Sequence, residues 1–207
     1  VFNHFLAMAS MSEMNGDLAK FENELIREVT QDPEDPIGLG GLANFMSLEQ
    51  ARKGEAVEMF ERCLAACRGK DSNVRPPPVE VKWRLCFTVF SSLFATFLMN
   101  SDGGGLGEGW VRKAEELYLG ALEIDPEHPL ALPDYAVFVH RVKKNYKEAE
   151  QYYKKALEVH PSHASIWSKY GNFLKSVRRD LKGAEACFKK AIKMDPRNPD
   201  CLSTYAV

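Results

Sequence analysis

The sequence predicts an all-α protein made of repeated helical hairpins, and three observations lead to that prediction. Pro126, Pro161 and Pro196 follow one another at steps of 35 residues, a period typical of helical-repeat architectures. Small and aromatic residues recur at constant offsets before each of these prolines. Every periodic segment also has the spacing of three and four residues that marks one face of a helix, so we expect antiparallel helix pairs and no sheet.

The second helix of each hairpin is predicted from the residues that precede these prolines. An alanine, an aromatic residue and another alanine lie on one stripe, where the small residues let a neighbouring helix approach and the ring fills the space between them. The proline then ends the helix, because it lacks an N–H group. The three sets are Ala114, Tyr118, Ala121 and Pro126; Ala149, Tyr153, Ala156 and Pro161; and Ala184, Phe188, Ala191 and Pro196.

The helix before the last set carries Trp167, Tyr170, Gly171 and Leu174 on one face. Together with the set that ends at Pro196, these residues occupy the slots of the pattern Trp-x2-Leu-Gly-x2-Tyr, Ala-x3-Phe and Pro. The sequence therefore resembles the tetratricopeptide repeat family. The resemblance implies a right-handed α-solenoid of antiparallel helix hairpins, and it is strongest from Trp110 onward.

We expect a single solenoid over residues 1–207, in which the third unit contains a glycine-rich insertion at 102–109. The last residues resemble the start of a further first helix, and solenoids need a polar terminal cap, so we expect the chain to be a fragment of a longer protein. The expected units are 2–35, 37–70, 79–128, 130–163 and 164–198, with a partial unit at 199–207.

Composition is that of an ordinary soluble domain, with 45% hydrophobic and 27% charged residues and a net charge of −2. The net charge gives no reason to expect a polyanionic partner, although the second half of the chain is the more basic half. The five scattered cysteines do not form a disulfide framework, so we expect a reducing intracellular compartment, the cytoplasm or the interior of an organelle.

No catalytic motif is present in the sequence. The glycines at 103–109 are not followed by the Lys-Ser/Thr of a phosphate-binding loop and indicate a flexible connection. Cys63 lies in a small-residue packing slot four residues before Cys67, which favours packing over metal or redox chemistry. Histidines in two adjacent turns could cluster, but flexible turns are poor metal sites. We therefore expect no enzyme, no cofactor and no metal.

An uncharged helix spans 85–101 and contains the phenylalanines of a possible apolar contact helix. It is slightly short for a membrane span and carries several hydroxyl side chains, so no span is expected. A helix that is apolar almost all round is usually buried, and the alternative is that it also contacts another protein. The phenylalanines are Phe87, Phe90, Phe94 and Phe97.

Basic residues gather at the hairpin turns of two successive units, in equivalent positions that stacking should align as a basic edge. Such an edge could hold an acidic peptide, lipid headgroups or RNA phosphates, or could simply be solvated. The residues of this basic edge are Lys143, Lys144, Lys147, Arg178, Arg179 and Lys182.

The resemblance implies a protein–protein interaction scaffold in a larger assembly, which binds an unidentified protein partner through a groove lined by first helices. The family's carboxylate clamp is incomplete here, so a receptor for chaperone tails is not expected. The alternative is an RNA-processing factor of the half-a-tetratricopeptide type, which Trp167-Ser168-Lys169-Tyr170 and Phe60-Glu61-Arg62-Cys63 resemble, with nucleic acid as a less favoured partner. The expected groove residues are Tyr135, Phe138, Arg141, Lys169, Asn172 and Lys175.

Overall fold

A computed structural model describes residues 18–49, 52–68, 81–100 and 108–196. These residues form α-helices joined by turns and contain no strand, which confirms the all-α prediction for this part of the chain. A short π-helical segment, Leu174–Arg178, follows the eighth helix. The helices are α1 Leu18–Gln31, α2 Pro36–Met46, α3 Lys53–Arg68, α4 Val81–Asn100, α5 Glu108–Ile124, α6 Ala131–Arg141, α7 Tyr146–Val159, α8 Ala164–Phe173 and α9 Leu181–Met194.

The chain divides into two compact units, Val1–Ile124 and Asp125–Val207. In the first unit α2 packs along α3, α4 packs along α5, and α1 packs on α2. In the second unit the hairpins are α6 with α7 and α8 with α9. The single continuous solenoid stays a prediction. The predicted glycine-rich insertion lies outside the described residues as far as 107, whereas Glu108 and Gly109 already belong to α5.

A further prediction, the partial unit at 199–207, concerns a segment outside the described part of the chain.

The two hairpin turns of the second unit are built alike. Asn145 caps α7 by accepting a hydrogen bond from the backbone N–H of Glu148, and Asp180 caps α9 by accepting one from Gly183. Such side-chain caps satisfy N–H groups that a helix leaves unpaired. The residue before each cap, Lys144 or Arg179, has a left-handed backbone with φ of 55° or 58°. The same local geometry thus recurs one repeat apart.

Packing between α8 and α9 depends on small residues, as the repeat pattern predicts. Ala184 and Ala191 are 2% and 0% exposed, which confirms the predicted burial of both alanines. Gly171 on α8 faces the ring of Phe188, and a Cβ atom at Gly171 would come within 2.6 Å of a ring carbon. The absence of a side chain at Gly171 is therefore what lets the two helices approach around that ring.

Enlarging either alanine is expected to disturb this contact. We expect Ala184→Leu or Ala191→Leu to lower the free energy of unfolding by about 1–3 kcal/mol, because an inserted side chain overpacks a closed interface. Urea denaturation measures the change. Ala186→Leu, at an exposed position of the same helix, is the matched control and should stay within about 0.5 kcal/mol of the parent. Equal losses in all three variants would contradict this packing register.

The core of the first unit contains most of the predicted apolar contact helix. Phe87, Phe90 and Phe94 on α4 are 7%, 2% and 0% exposed, and Phe94 stacks on Phe60 of α3 with ring centroids 4.9 Å apart. Phe97 is half-buried and packs against the cluster that α1, α2 and α3 form. These rings stabilise the core of the first unit, and the three most buried of them are not accessible to a partner. No helix in the described ranges is sufficiently long and apolar to span a bilayer.

Candidate functional site

The candidate binding surface of the second unit runs along its two first helices, α6 and α8, which lie side by side. Asp134, Val137 and Arg141 follow one another at helical spacing on α6, and Lys169 and Asn172 do so on α8. Lys169 Nζ forms an ion pair with Asp134 Oδ1, which joins the two helices across this surface. Lys175 follows Asn172 in the π-helical segment after α8, and we call these six residues the first-helix face.

Two residues that the sequence analysis expected in the groove lie in the core instead. Tyr135 is 2% exposed and meets Tyr152 of α7 edge-on at 5.0 Å, and Phe138 is 1% exposed. Their equivalents one repeat later are Tyr170 and Phe173, on the side of α8 that packs inward. Tyr135 and Phe138 therefore stabilise the hairpin and are not available to a groove ligand.

The expected groove residues came from two different faces of the first helices, one buried and one at the surface. For this reason only part of the set lies where a ligand could bind. Lys169 and Asn172 correspond, one period earlier, to Asp134 and Val137. The 35-residue period that predicted the hairpins could have identified this pair, because equivalent positions must face the same way in stacked units. Asp134 is the residue that the sequence analysis missed, and its carboxylate is the partner of Lys169.

Arg141 is exposed, and Lys169, Asn172 and Lys175 are half-buried, so four of the six expected groove residues reach the surface. The backbone carbonyl oxygen of Asn172 accepts a hydrogen bond from Ser176 Oγ at 2.7 Å. The side-chain amide of Asn172 can both donate and accept, which suits the backbone of an extended peptide. The surrounding cations favour acidic side chains.

A buried aromatic cluster fixes α6, α7 and α8 beneath this face. Tyr153 is fully buried, and its hydroxyl group lies 3.1 Å from His140 Nδ1. The rings of Tyr170 and Phe173 approach Tyr153 at 5.7 and 5.3 Å. Burial lowers the pKa of His140 to about 4 and raises the pKa of the Tyr153 hydroxyl. Both side chains are therefore neutral near pH 7.

All six residues of the basic edge are exposed. Arg178 Nε donates to Glu150 Oε2 at 2.9 Å, and the Arg178 guanidinium lies over the ring of Phe173 at 5.8 Å. Glu150 also pairs with Lys154 at 2.8 Å, and the pKa of Glu150 is lowered by the hydrogen bonds from Lys154 and Arg178. The second turn is thereby held against the beginning of α7, where the first turn ends.

Histidines near the turns have structural contacts. His128 is 4% exposed, and its Nδ1 accepts a hydrogen bond from the backbone N–H of Ala131 at 3.2 Å, at the start of α6. His160 Nε2 contacts the carbonyl oxygen of Glu127. No His, Cys, Asp and Glu side chains within the described ranges are grouped as metal ligands would be.

The described cysteines are buried thiols. Cys63 donates from Sγ to the carbonyl oxygen of Pro36 at 3.2 Å, and the neighbouring Cys67 and its own burial raise the pKa of the Cys63 thiol. Their positions agree with the predicted role in packing, because a buried cysteine behaves as a small hydrophobic residue. The described thiols are Cys63, Cys67, Cys86 and Cys187.

Comparison with known proteins agrees with this geometry. Residues 139–200 match the family model described as TmcB, TPR repeats. The sequence has no significant match among curated proteins. Among solved structures, the chain is similar to TTC0263 from Thermus thermophilus, a thermophilic TPR protein, with a TM-score of 0.65 and 16% identity over 100% of this chain and 97% of that one.

Two further solved structures are similar over most of the chain. YrrB, described as a TPR protein with an unusual peptide-binding site, has a TM-score of 0.51 and 16% identity over 99% of this chain and 90% of YrrB. Acl4, the assembly chaperone of RpL4, has a TM-score of 0.67 and 15% identity over 91% of this chain and 75% of that chain.

The fold and the repeated hairpins define a helical-repeat protein of the α-solenoid class. Within that class the chain has the tetratricopeptide-repeat fold, and residues 139–200 are identified as tetratricopeptide repeats.

Proposed function

We propose that this protein is a non-catalytic interaction scaffold that binds an extended, acidic segment of a protein partner on its first-helix face. The observation that carries the proposal is the Asp134–Lys169 ion pair between α6 and α8, with Arg141 on α6, Asn172 on α8 and Lys175 in the π-helical segment that follows α8. Exposed cations attract carboxylates, and an amide between them can hydrogen-bond to a peptide backbone.

The fold supports a role of this kind. YrrB shares the fold and is described as having a peptide-binding site, although its low identity to this chain carries over no individual residue. The face is also firmly supported, since Tyr153 and Phe173 are fully buried beneath α6 and α8. A rigid surface loses little conformational entropy when a peptide binds to it.

Selection from a displayed library of random peptides would test the proposal, followed by affinity measurement for the enriched sequences. We expect enrichment of acidic residues. Asn172→Ala should weaken binding of a selected peptide by about fivefold or more, because the peptide backbone loses its hydrogen-bond partner. The double variant Arg141→Glu/Lys175→Glu should weaken it by about tenfold or more, and increasingly so at low salt.

The matched control is Lys155→Glu, an exposed lysine on α7 outside this face, which should leave peptide affinity within about twofold. Peptides that bind the parent and all three variants equally would contradict the proposed site. The RNA-processing alternative predicts instead a salt-sensitive affinity for single-stranded RNA, which can be measured on the same protein sample.

A further inference from the structure

The two hairpin turns of the second unit present the same short surface twice. The first turn reads Lys-Lys-Asn-Tyr-Lys over 143–147, and the second reads Arg-Arg-Asp-Leu-Lys over 178–182. Each consists of two cations, a helix-capping residue, an apolar residue and a lysine. The helix caps explain the asparagine and aspartate, but capping requires neither the cations nor the exposed apolar residue between them.

The apolar residues of the two turns occupy equivalent positions. Tyr146 and Leu181 are the first residues of α7 and α9, each two residues after a left-handed residue with nearly the same φ. Tyr146 is 41% exposed and Leu181 is 65% exposed, the latter the most exposed of the large hydrophobic side chains in the described ranges. We call these two side chains the tip residues. One exposed leucine is ordinary, but apolar tips that recur within matching basic surroundings require an explanation.

The turns lie on the same side of the second unit. Arg178 in the second turn binds Glu150 near the beginning of α7, and it lies over the ring of Phe173. The same ring meets the ring of His140, near the end of α6, at 5.6 Å. The ends of both first helices and the beginning of α7 are therefore in contact through these side chains, which brings the two turns together.

The acidic residues around the turns are already engaged. Glu150 pairs with Lys154 and Arg178, and Glu148 accepts a hydrogen bond from the Asn145 amide at 2.6 Å. Asp180 accepts from the N–H of Gly183 at 2.9 Å.

Four cations of the basic edge form no ion pair with the described part of the chain. The positive charge of the edge is therefore directed toward solvent. The four residues are Lys144, Lys147, Arg179 and Lys182.

We propose that the basic edge and its tip residues bind the surface of an anionic lipid membrane. Lysine and arginine near an anionic leaflet are attracted to its negative surface potential within about one Debye length. A tyrosine suits the headgroup region, and a leucine among cations gains free energy by entering the acyl boundary. The protein would lie on the membrane surface through this edge.

Charge alone would also fit RNA, but the tip residues favour lipid. Single-stranded nucleic acid is held by stacking bases on aromatic rings, and the second tip is a leucine that has no ring. A protruding apolar side chain flanked by cations is instead suited to a lipid membrane, which has anionic headgroups above an apolar interior.

Vesicle co-sedimentation of the full chain tests the proposal, with phosphatidylcholine vesicles that contain about 30 mol% phosphatidylserine beside pure phosphatidylcholine vesicles. We expect binding to the anionic vesicles only, decreasing as salt is raised. The variant Lys147→Glu/Lys182→Glu should bind at least about tenfold more weakly. It should fold normally, because carboxylates are favourable in the first turn of a helix.

The matched control is Lys155→Glu/Lys193→Glu, which makes the same change in net charge at two exposed lysines of α7 and α9 away from the turns. It should stay within about threefold of the parent. Tyr146→Ser/Leu181→Ser should weaken binding to the anionic vesicles by at least about threefold while leaving its salt dependence unchanged, because it removes only the apolar contribution.

Several results would overturn the proposal: no binding to anionic vesicles at low salt, equal loss in both charge variants, or no effect of the tip substitutions. Tighter binding to polyuridine RNA than to vesicles, lost in Lys147→Glu/Lys182→Glu, would overturn it in favour of nucleic acid. The acidic-peptide experiment is independent, since neither Lys147 nor Lys182 belongs to the first-helix face.

Discussion

Replacing Phe94 with alanine is expected to lower the free energy of unfolding of the first unit by about 3–5 kcal/mol, the usual cost of deleting a buried phenylalanine ring. Phe94 is fully buried and stacks on Phe60, which is also fully buried, with an interplanar angle of 12°. The substitution removes the buried ring and its stacking contact with Phe60, and it leaves a cavity between α3 and α4. Urea denaturation followed by circular dichroism measures the loss.

Leu85→Ala on the same helix is the matched control for Phe94→Ala. Leu85 is 47% exposed, so its truncation should change the free energy of unfolding by no more than about 0.5 kcal/mol. A comparable loss in the two variants would show that α4 is not packed as described. A small loss for Phe94→Ala would remove the assignment of this ring to the core.

Acidification is expected to destabilise the second unit between about pH 6.5 and pH 4. Burial lowers the pKa of His140 to about 4, whereas an unfolded histidine titrates near 6.5. Below pH 6.5 the unfolded chain therefore binds a proton that the folded chain does not, so folding stability falls as pH falls through this window. Above pH 6.5 the histidine is neutral in both states, and its contribution to stability is fully present.

The magnitude follows from the size of the shift and the position of the ring. Because His140 is only half-buried, solvent screens part of the interaction, and we expect a loss of about 1–2 kcal/mol from this group on going from pH 7.5 to about pH 5 or lower. The groups that face its ring are the Tyr153 hydroxyl and the Phe173 ring, and the charges of Arg141 and Lys144 further lower its pKa.

A glutamine at position 140 isolates this contribution. His140→Gln keeps a hydrogen-bonding group near Tyr153 but cannot titrate, so the free energy of unfolding of the variant should depend less on pH than that of the parent. Burial also lowers the pKa of His128 and His163, so part of the pH dependence should remain. An identical pH dependence in variant and parent would contradict the assignment to His140.

Much of the fold could be predicted because its determinants are periodic in the sequence. The alanines at 184 and 191 and the ring at 188 recur at fixed offsets from each proline, and such spacing has one simple structural meaning, a close helix–helix contact. The groove residues were harder to predict, because the sequence does not show which side of a first helix packs against its neighbours and which side lines the groove. Tyr135 and Phe138 each follow a surface residue of α6, Asp134 or Val137, by one position. A shift of one residue along a helix turns the side chain by about 100° around the helix axis, which is enough to move it from the surface into the core.

Two local features left no recognisable mark in the sequence. The π-helical segment at 174–178 departs from the regular helical period that the sequence analysis assumed. The left-handed residues at 144 and 179 are a lysine and an arginine, whereas the usual signal for that conformation is glycine or asparagine. Neither conformation follows from the preference of the individual residues in these segments.

The pairing of helices within each unit also bears on how the chain reaches its native state. Helices there contact mainly the helix next to them in sequence or the one after it. Chains with such short-range contacts lose little entropy on closing each loop and fold quickly. A hairpin such as α6 with α7 can therefore form soon after its second helix has been synthesised, and the ring of Tyr153 is then covered when α8 packs on it, so that folding proceeds from one hairpin to the next during translation.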